Sequence, residues 1–508
     1  MNRRNVSTGN STRRVSRPTV VFVASEAVPF AKTGGLADVT GALVSEMADI
    51  GCRSILIIPK YQSIPESLIR PTNLSIKVPA GRRAVTARIW ESRKNGNTSI
   101  YLLDIPAFFD RGSLYGEKGL DYPDNLARFT ALNRGALELL KKLRIRPHII
   151  HVHDWQTSLI PLYLKSLYRH DPFFKRTRSV LTIHNLSYQG QFSTQDMRFT
   201  GLSKNYLSPR YLEYFGDIRL LKGGIVSADW ITTVSPTYEE EIQNAEFGCG
   251  IDGVIRTRAG NMSGILNGID TKEWDPSRDP LISSRYSVEN LQGKNHCKRA
   301  LLREMGLPLD TQRPLICILS RLVEQKGIIQ AIEAMPWLIE AGATWVVLGE
   351  GDPSYELEMA KLATAHPDRI AVRIGYDNTL AHQIVAGSDY LLMPSLFEPC
   401  GLSQIYAMRY GTIPVVRGVG GLADTVSDFT RNPNRGTGFV FHSTTPQALM
   451  SAVHRAFSIY RHPKIWTGLR RRVMSQDFSW RRSALEYLDI YRNILAEPRS
   501  PIQRSPRA

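Results

Sequence analysis

Two copies of the pentapeptide GGLAD are the most conspicuous candidates for chemistry in this chain of 508 residues: one in KTGGLADV, the other in GGLADTV. A glycine turn that leads into a helix leaves unpaired backbone N–H groups at the positive end of the helix dipole, and both features favour an anion. We therefore expect Gly34 and Gly35 in one loop, and Gly420 and Gly421 in the other, to hold a phosphate between them. Two ordinary strand-to-helix turns are the alternative, because glycine turns are common in nucleotide-binding folds.

Three basic side chains are candidates to bind the same anion. Arg321 and Lys326 lie in SRLVEQKG, just past a predicted strand, and Lys32 precedes the first GGLAD. Fixed positive charge stabilises an anion, so this set suits a phosphate that lies beside the same loops. From spacing alone, Arg321 and Lys326 could equally be two solvated cations on a loop.

Acidic and imidazole side chains follow the apolar runs of the first half of the chain. Asp154 comes after HIIHVH, and His184 comes after SVLTI. Because ligands bind beyond the carboxyl ends of parallel strands, we expect both at a cleft. His151 and His153 could suggest a metal pair, but alternate polar residues at a strand end are commoner and no third ligand cluster accompanies them. No two aspartates lie two residues apart, so the Asp-x-Asp cation motif is missing and no metal is expected.

A further carboxylate, Glu398, lies in PSLFEPCGL before a turn shaped by Pro399 and Gly401. The amides from Gly401 to Ser403 begin a predicted helix and could hold phosphate or sugar hydroxyls. A carboxylate that caps the helix is the alternative interpretation of Glu398.

Two runs of alternating strands and helices must position these residues, and the pattern restarts after the turn-rich segment GILNGIDTKEWDPSRDP. Such alternation indicates parallel sheets with right-handed crossovers. We predict an α/β protein with two Rossmann-like doubly wound domains that face each other across a cleft. The terminal helix should pack back toward the first domain, with Leu485, Leu488, Tyr491 and Leu495 on one apolar stripe. The predicted boundaries are a disordered basic tail 1–18, a first domain 19–267, a linker 268–280, a second domain 281–480, a terminal helix 481–496 and a tail 497–508.

The composition excludes several function classes. No apolar run approaches the roughly 18 to 20 residues that cross a bilayer, so no membrane partner is expected. The two tails account for +5 and +2 of the net charge of +17, which leaves +10 spread over the rest without a nucleic-acid motif. The sequence GCGIDG satisfies GxGxxG but follows no buried strand, so a dehydrogenase lacks its context.

The cysteines and the N-terminus bear on the cellular compartment. The five cysteines are scattered and form no CxxC pair, which indicates a reducing compartment. The Arg- and Ser-rich start has the composition of a transit peptide, yet it is short and has no clear apolar face. We expect a cytoplasmic protein, with a plastid as the alternative.

Eleven motifs in order resemble those of the bacterial-type glycogen synthases, which are relatives of the plant starch synthases. They are KTGGLADV, YPDNLARF, HVHDWQ, TIHNLSYQG, TTVSPTY, FGCGIDGV, NGID, SRLVEQKG, GEGDP, PSLFEPCGL and GGLADTV, and they span nearly the whole chain from residue 19. The resemblance implies a retaining glucosyltransferase with the glycosyltransferase-B fold. It further implies transfer of glucose from ADP-glucose to the non-reducing end of an α-1,4-glucan such as glycogen, with release of ADP and without a cofactor.

The resemblance also implies roles for individual residues. The implied catalytic group is Asp154, His184, Arg321, Lys326 and Glu398. Within it, Arg321 and Lys326 would bind the diphosphate, and Glu398 would contact the donor glucose and support the cationic transition state. The implied substrate-binding residues are Lys32, Gly34, Gly35, Asp38, Tyr115, Asn267, Tyr376, Cys400, Gly401, Leu402, Ser403, Gly420 and Gly421.

Three of these substrate contacts have a more specific form. Asn267 would bond a glucose hydroxyl, and Tyr376 would stack on adenine. Tyr115, with Tyr122, Asp124 and Asn125 nearby in the sequence, could line an acceptor groove, because pyranose faces pack on rings while hydroxyls need polar partners. Core tyrosines explain the same residues almost as well.

Two rival functions fit part of the pattern. A sugar-nucleotide-binding protein without catalysis would be expected to lose Glu398 or Lys326, and both are present. A different retaining transferase, such as one that makes sucrose or trehalose, would lack KTGGLADV and TIHNLSYQG together. Tyr406 stands where many related glycosyltransferases have a Glu that holds the ribose, which leaves that contact open. The choice between ADP-glucose and UDP-glucose, the preferred glucan length and the oligomeric state also stay open.

Overall fold

The computed structural model describes residues 17–81, 83–92, 98–117 and 119–497. The predicted tail 1–18 lies outside the described residues except for its last two, and the predicted tail 497–508 lies outside them after Glu497. Within the described ranges the chain forms two α/β units, each with a parallel sheet at its centre.

The strands of the described ranges, in chain order, are β1 Thr19–Val23, β2 Arg53–Pro59, β3 Ile69–Ala80, β4 Arg83–Ser92, β5 Thr98–Asp104, β6 Gly116–Glu117, β7 Leu120–Asp121, β8 Ile149–His153, β9 Arg178–Ile183, β10 Gln191–Ser193, β11 Glu213–Tyr214, β12 Asp217–Arg219, β13 Trp230–Thr233, β14 Met262–Gly264, β15 Leu315–Leu319, β16 Thr344–Gly349, β17 Ile370–Ile374, β18 Tyr390–Met393, β19 Ile413–Arg417 and β20 Phe439–Phe441.

The α-helices of the same ranges are α1 Gly35–Asp49, α2 Pro106–Phe109, α3 Asn125–Lys142, α4 Asp154–Thr157, α5 Leu159–Lys165, α6 Met197–Thr200, α7 Leu220–Ser227, α8 Pro236–Glu241, α9 Asp252–Arg256, α10 Gln292–Glu304, α11 Ile328–Glu340, α12 Pro353–Ala365, α13 Asn378–Gly387, α14 Ser403–Arg409, α15 Gly420–Thr425, α16 Pro446–Tyr460, α17 Pro463–Met474 and α18 Trp480–Ala496. None of them is both long and apolar enough to cross a bilayer.

The first domain is built on a nine-stranded sheet in the order β14, β13, β9, β8, β1, β2, β5, β4, β3. Neighbouring strands are parallel from β14 to β5, whereas β4 runs antiparallel to both β5 and β3. All five residues of β1 and of β8 are buried, as expected for central strands with both faces covered by helices. Because β8 and β9 are adjacent and parallel, the residues that follow them meet at one edge of the sheet.

The second domain contains a six-stranded, fully parallel sheet in the order β17, β16, β15, β18, β19, β20. Adjacent strands β15 and β18 precede the two loops that carry Lys326 and Glu398. The predicted fold class, two Rossmann-like doubly wound domains, is confirmed.

The chain crosses between the domains twice, and the two crossings touch. The Ile269 N–H donates to the Phe478 carbonyl at 2.9 Å, and Ile269 forms a parallel bridge with Ser479. After the second crossing, α18 packs on α1 and joins the core of the first domain. The buried residues of α18 are Trp480, Ser483, Ala484, Tyr487, Leu488, Tyr491 and Ile494. The predicted stripe is therefore wrong for Leu485, which is exposed, whereas Leu488 and Tyr491 are buried and Leu495 packs, partly buried, against the core of the first domain.

Candidate active site

The second domain brings an ammonium group and a carboxylate together in the loops after β15 and β18. Lys326 Nζ lies 2.5 Å from Glu398 Oε2, and the two side chains are 15% and 6% exposed. Ser395 Oγ donates a second hydrogen bond, of 3.1 Å, to the same carboxylate oxygen. The pair is thus largely shielded from water, and a charge-assisted hydrogen bond is stronger there than at an exposed surface.

Backbone contacts fix the two loops that carry this pair. Lys326 ends a single turn of 3₁₀ helix, and Gly327 follows it with a φ of 65° as α11 begins. A Cβ at Gly327 would collide with the carbonyl oxygen of Pro394 in the neighbouring loop, so a glycine is required there. The Leu396 N–H donates to the Gln325 carbonyl at 2.8 Å, which ties the loop after β18 to the loop after β15.

Arg321 extends from the second domain to the first. Its Nη1 lies 3.5 Å from the Tyr188 hydroxyl, and its Nη2 lies 3.4 Å from Gln325 Oε1. Tyr188 is four residues beyond His184 in the loop after β9. The cation-bearing loops of the second domain therefore face the β9 loop of the first. Arg321 is exposed, so its guanidinium is accessible to an anion that enters between the domains.

Asp154 begins α4 directly after β8 and has a left-handed backbone, with a φ of 54°. Such a backbone costs a residue with a Cβ roughly 1–2 kcal/mol, and residues of this kind cluster at functional sites. The His184 N–H donates to Asp154 Oδ1 at 2.7 Å, and the Asn185 N–H also donates to this carboxyl. Burial raises the pKa of Asp154 to about 7, against the opposing effect of these two N–H groups. Its carboxyl therefore anchors the start of the β9 loop and titrates near neutral pH.

A row of three imidazoles leads from the core to the same place. His151 Nδ1 lies 2.7 Å from the Tyr491 hydroxyl of α18, and His153 Nδ1 lies 3.0 Å from His184 Nε2. The rings of His151 and His153 stack with centroids 4.4 Å apart. Burial lowers the pKa of both His151 and His184 to about 3, so both are neutral at pH 7. A neutral His184 can form a hydrogen bond with a ligand but brings no positive charge to it.

The first GGLAD loop is open. A Cβ at Gly34 would contact nothing within 4 Å, and a Cβ at Gly35 would meet only Leu402 Cδ1 of the second domain, at 3.7 Å. Within the described ranges, neither glycine N–H donates to another group. The Lys32 ammonium pairs with the Asp38 carboxylate at 2.7 Å, so its charge is held beside the loop. This copy has the free N–H groups that an anion site needs.

The second GGLAD loop is closed, which corrects the expectation that both copies offer free N–H groups. The Gly420 N–H donates to Glu241 Oε1 at 2.9 Å, and the Gly421 N–H donates to the Glu398 carbonyl at 3.0 Å. Glu241 ends α8 of the first domain. The positive end of α15 does attract an anion, but that anion is a carboxylate of this chain.

Close packing explains why both residues of this second pair are glycines. Gly420 has a φ of 43°, which favours glycine, and a Cβ there would collide with the Glu398 carbonyl oxygen. A Cβ at Gly421 would collide with the backbone of Cys400. Here the glycines let α15 approach the loop that carries Glu398.

The loop after Glu398 turns at Gly401, which has a φ of 72°. Ser403 Oγ donates to the Leu319 carbonyl at 3.0 Å, so this hydroxyl is used by the fold. The Asn267 N–H donates to the Cys400 thiol. Asn267 Oδ1 is buried and has no partner among the described residues, so it is an acceptor available to a ligand hydroxyl.

The two tyrosines of the predicted set differ in access. Tyr376 follows β17 and is 73% exposed, so its ring is free to stack on a base. The Tyr115 hydroxyl instead lies 2.7 Å from Ser25 Oγ and donates to Glu26 at 3.1 Å. Asn125 Nδ2 donates to the Tyr115 carbonyl at 2.8 Å. Tyr115 and Asn125 are therefore engaged inside the first domain, as the core alternative describes.

Three residues that organise the site lie outside the sequence-based set: Glu26, Glu241 and Tyr491. Glu26 Oε2 accepts the Thr33 N–H at 2.5 Å and so holds the first GGLAD loop, and burial raises the pKa of this carboxyl. Glu26 follows β1 as Asp154 follows β8, so the same pattern of a polar residue after a buried strand could have identified it. The partners of Glu241 and Tyr491 are remote in sequence, and no local pattern reveals them.

The chain matches two protein-family models. Residues 19–257 match the starch synthase catalytic domain, and residues 305–467 match the glycosyl transferases group 1. Among curated relatives, the glycogen synthase of Anaeromyxobacter dehalogenans is 46% identical over 94% of this chain and 99% of that protein. The glycogen synthase of Syntrophotalea carbinolica is 43% identical over 93% of this chain and 98% of that protein.

Solved structures agree with these matches. The catalytic domain of starch synthase IV from Arabidopsis thaliana, bound to ADP and acarbose, superposes with a TM-score of 0.88 at 34% identity, over 95% of this chain and 100% of that one. A sucrose-phosphate synthase from Thermosynechococcus elongatus, with a TM-score of 0.57 and 17% identity, shares the fold. With relatives above 40% identity along almost the whole chain, this protein belongs to the glycogen and starch synthase family of glycosyltransferases, which have the two-domain glycosyltransferase-B fold.

Proposed function

We propose that this protein transfers glucose from ADP-glucose to the 4-hydroxyl at the non-reducing end of an α-1,4-glucan, with retention of anomeric configuration and release of ADP. The observation that carries the proposal is the contact between Arg321 and Tyr188. This contact shows that the loops of Lys326 and Glu398 lie opposite the loop that begins at His184. The cleft thus offers cations for a leaving diphosphate on one wall and neutral hydrogen-bonding groups for a sugar on the other.

The charged wall suits the bond that must break. Transfer cleaves the bond between the anomeric carbon and the diphosphate oxygen, so negative charge grows on ADP while positive charge grows on the sugar. In our proposal Arg321 and Lys326 neutralise the diphosphate, and the Glu398 carboxylate supports the sugar cation. Groups that are already fixed before the reaction need no reorganisation as charge develops, and this lowers the barrier.

The opposite wall suits the glucose itself. Asp154 and His184 are joined by a 2.7 Å hydrogen bond at the edge of the first sheet. The unused Oδ1 of Asn267 can accept a hydrogen bond from a glucose hydroxyl. A buried acceptor without a partner is costly, so a ligand hydroxyl that satisfies it gains binding energy.

The nucleotide part of the donor has candidate contacts on both domains. The free N–H groups of Gly34 and Gly35 suit a phosphate at the start of α1. The exposed ring of Tyr376 suits stacking with adenine. We further propose that these basic and backbone groups act without a metal ion. Catalysis should then continue at an unchanged rate when the assay contains excess EDTA.

The decisive experiment measures ADP release from ADP-glucose with glycogen, with simple sugar acceptors and with no acceptor. We expect release that depends on glycogen, and slower turnover when UDP-glucose replaces ADP-glucose. Binding of ADP-glucose without turnover would favour a non-catalytic sugar-nucleotide-binding protein. Turnover with a fructose or glucose phosphate acceptor, but not with glycogen, would favour a transferase that makes sucrose or trehalose.

A further inference from the structure

The first domain carries an exposed aromatic hairpin that the reaction at the cleft does not use. Its tip is Phe215, with an exposed fraction of 86%, and Gly216, between β11 and β12. The ring of Phe215 packs edge-on to the ring of Tyr214, with centroids 4.6 Å apart. A large apolar ring left in water at a loop tip buries little apolar area, so it contributes little to folding.

The backbone of this tip adds a second, independent observation. Phe215 and Gly216 have φ values of 48° and 84°, both positive, as a two-residue type I′ hairpin turn requires. Such turns favour Asn-Gly, because a bulky side chain is disfavoured in the left-handed region. The hairpin therefore keeps a residue that is unfavourable for its own turn, and strain of this kind concentrates at ligand contacts.

Hydrogen bonds connect the hairpin to the cleft. Gln189 donates from Nε2 to the Cys249 carbonyl at 2.9 Å and accepts from Arg219 of β12 at 2.7 Å. The Tyr214 hydroxyl donates to the Gly250 carbonyl, one residue further along the same loop. Gln189 directly follows Tyr188, which is 53% exposed and contacts Arg321 across the cleft. The loops that carry the exposed rings of Phe215 and Tyr188 are thus joined through the buried Gln189, and this surface reaches the cleft at Tyr188.

We propose that this surface, the rim platform of Tyr188 and Phe215, is a binding site for the α-glucan chain outside the cleft. The proposal rests on the glucan-transferase function above and adds a site for the acceptor polymer. Sugars bind to aromatic faces and need polar partners for their hydroxyls. The hairpin offers such partners in the partly exposed carboxylates of Glu213 and Asp217. Each already accepts one hydrogen bond inside the small sheet, from the Gly216 N–H and from Gln191 Nε2, and keeps further acceptor capacity.

The same polar groups argue against two other occupants. The cores of protein interfaces are depleted of Asp and Glu, yet two carboxylates flank this ring. An anionic membrane surface would repel them. A neutral polymer with many hydroxyl groups is the partner whose chemistry matches an aromatic ring between hydrogen-bond acceptors.

The test uses Phe215→Asn in the full chain, because Asn suits the turn but removes the ring. Initial rates at saturating ADP-glucose are measured against maltotriose and against glycogen. We expect the KM for glycogen to rise roughly 3- to 10-fold, on the scale of one lost aromatic contact. The KM for maltotriose, the kcat and the KM for ADP-glucose should stay the same, since a short acceptor occupies the cleft alone. Phe215→Trp should retain the wild-type KM.

Two controls separate this site from stability and from the catalytic proposal. Trp337→Ala removes another exposed aromatic side chain, on α11 of the second domain, and should change no kinetic constant. The Tm of Phe215→Asn should equal or exceed that of the wild type. An unchanged KM for glycogen, or an equal rise for maltotriose, overturns the rim platform.

Gel electrophoresis through immobilised glycogen then tests binding without turnover. Wild type should be retarded, and Phe215→Asn should be retarded less. Equal mobility of the two proteins would overturn the site. If wild type is retarded but releases no ADP, the proposed function fails while the binding site stands.

Discussion

Substitution of Lys326 by alanine tests whether the buried ion pair stabilises the departing diphosphate. We expect kcat to fall by about 10²-fold or more, on the scale of one lost transition-state donor, or about 2.7 kcal/mol. The interpretation is complicated by Glu398, whose carboxylate is 6% exposed and 2.5 Å from the Lys326 ammonium. Without Lys326, this carboxylate retains only Ser395 Oγ as a hydrogen-bond partner among the described side chains.

The cost of that unpaired charge sets the expected loss of stability. Removal of one partner from a fully buried ion pair costs about 3–5 kcal/mol. Because Lys326 is still 15% exposed, we expect the lower end of that range, about 3 kcal/mol, for Lys326→Ala. The double variant Lys326→Ala with Glu398→Gln leaves no lone charge, so it should recover most of this stability. Its kcat should stay low, because both charges that act in the transition state are absent.

The assay therefore combines two readouts on four proteins: the wild type, both single variants and the double variant. Glycogen-dependent ADP release gives kcat and KM, and urea unfolding gives the free energy of unfolding. If the double variant regained kcat together with stability, the loss in Lys326→Ala would come from folding and not from catalysis. A Lys326→Ala variant with a raised KM for ADP-glucose and a normal kcat would show uniform binding of ground state and transition state, and would refute the role.

Three further predictions concern the rest of the site. Asp154 holds its proton more tightly in the native state, with a pKa of about 7, than in the unfolded chain. The free energy of unfolding of the wild type should therefore fall as the pH rises from about 4 to about 7. Over that range, urea unfolding should show Asp154→Asn becoming more stable relative to the wild type by up to roughly 4 kcal/mol. Tyr491→Phe leaves the buried His151 Nδ1 without its 2.7 Å partner and should cost about 1–3 kcal/mol in the same measurement. Saturating ADP should reduce the radius of gyration of the wild type in X-ray scattering but not that of Gly35→Val, whose side chain would separate phosphate from the amides; an unchanged wild-type radius would argue against cleft closure. Gly421→Val is unsuitable for this test, because its Cβ would collide with Cys400.

The central strands could be predicted from the sequence because each is a short, nearly continuous apolar run, as in β1 and β8. The antiparallel edge formed by β3 and β4 could not. Buried and exposed residues alternate along much of β3, so its sequence is less continuously apolar than that of a strand covered on both faces. The small sheet of β10, β12 and β11 has strands of only two or three residues, too short for any periodicity to appear.

The candidate site was predictable where a residue follows a buried strand, which is how Asp154 and His184 were identified. It was not predictable where the contact joins distant segments. The Tyr491 hydroxyl reaches His151 from a helix 340 positions away in the sequence. Periodicity alone placed Leu485 on the apolar stripe of α18, although this residue is exposed. A stripe at helical spacing gives the side of a helix to within a residue or so, while neighbouring tertiary packing decides which side chains are covered.

The two GGLAD copies show how identical sequences acquire different surroundings. At the first copy a Cβ on Gly35 would meet only one side-chain atom, so its amide is accessible to a ligand. At the second, Gly420 binds the Glu241 carboxylate of the opposite domain and Gly421 binds the Glu398 carbonyl. A line of contacts therefore runs from the first domain through α15 to Glu398 and on to Lys326. In this conformation the second copy links the Glu241 contact between the domains to the pair of Glu398 and Lys326. Of the two copies, only the first has amides free for a phosphate.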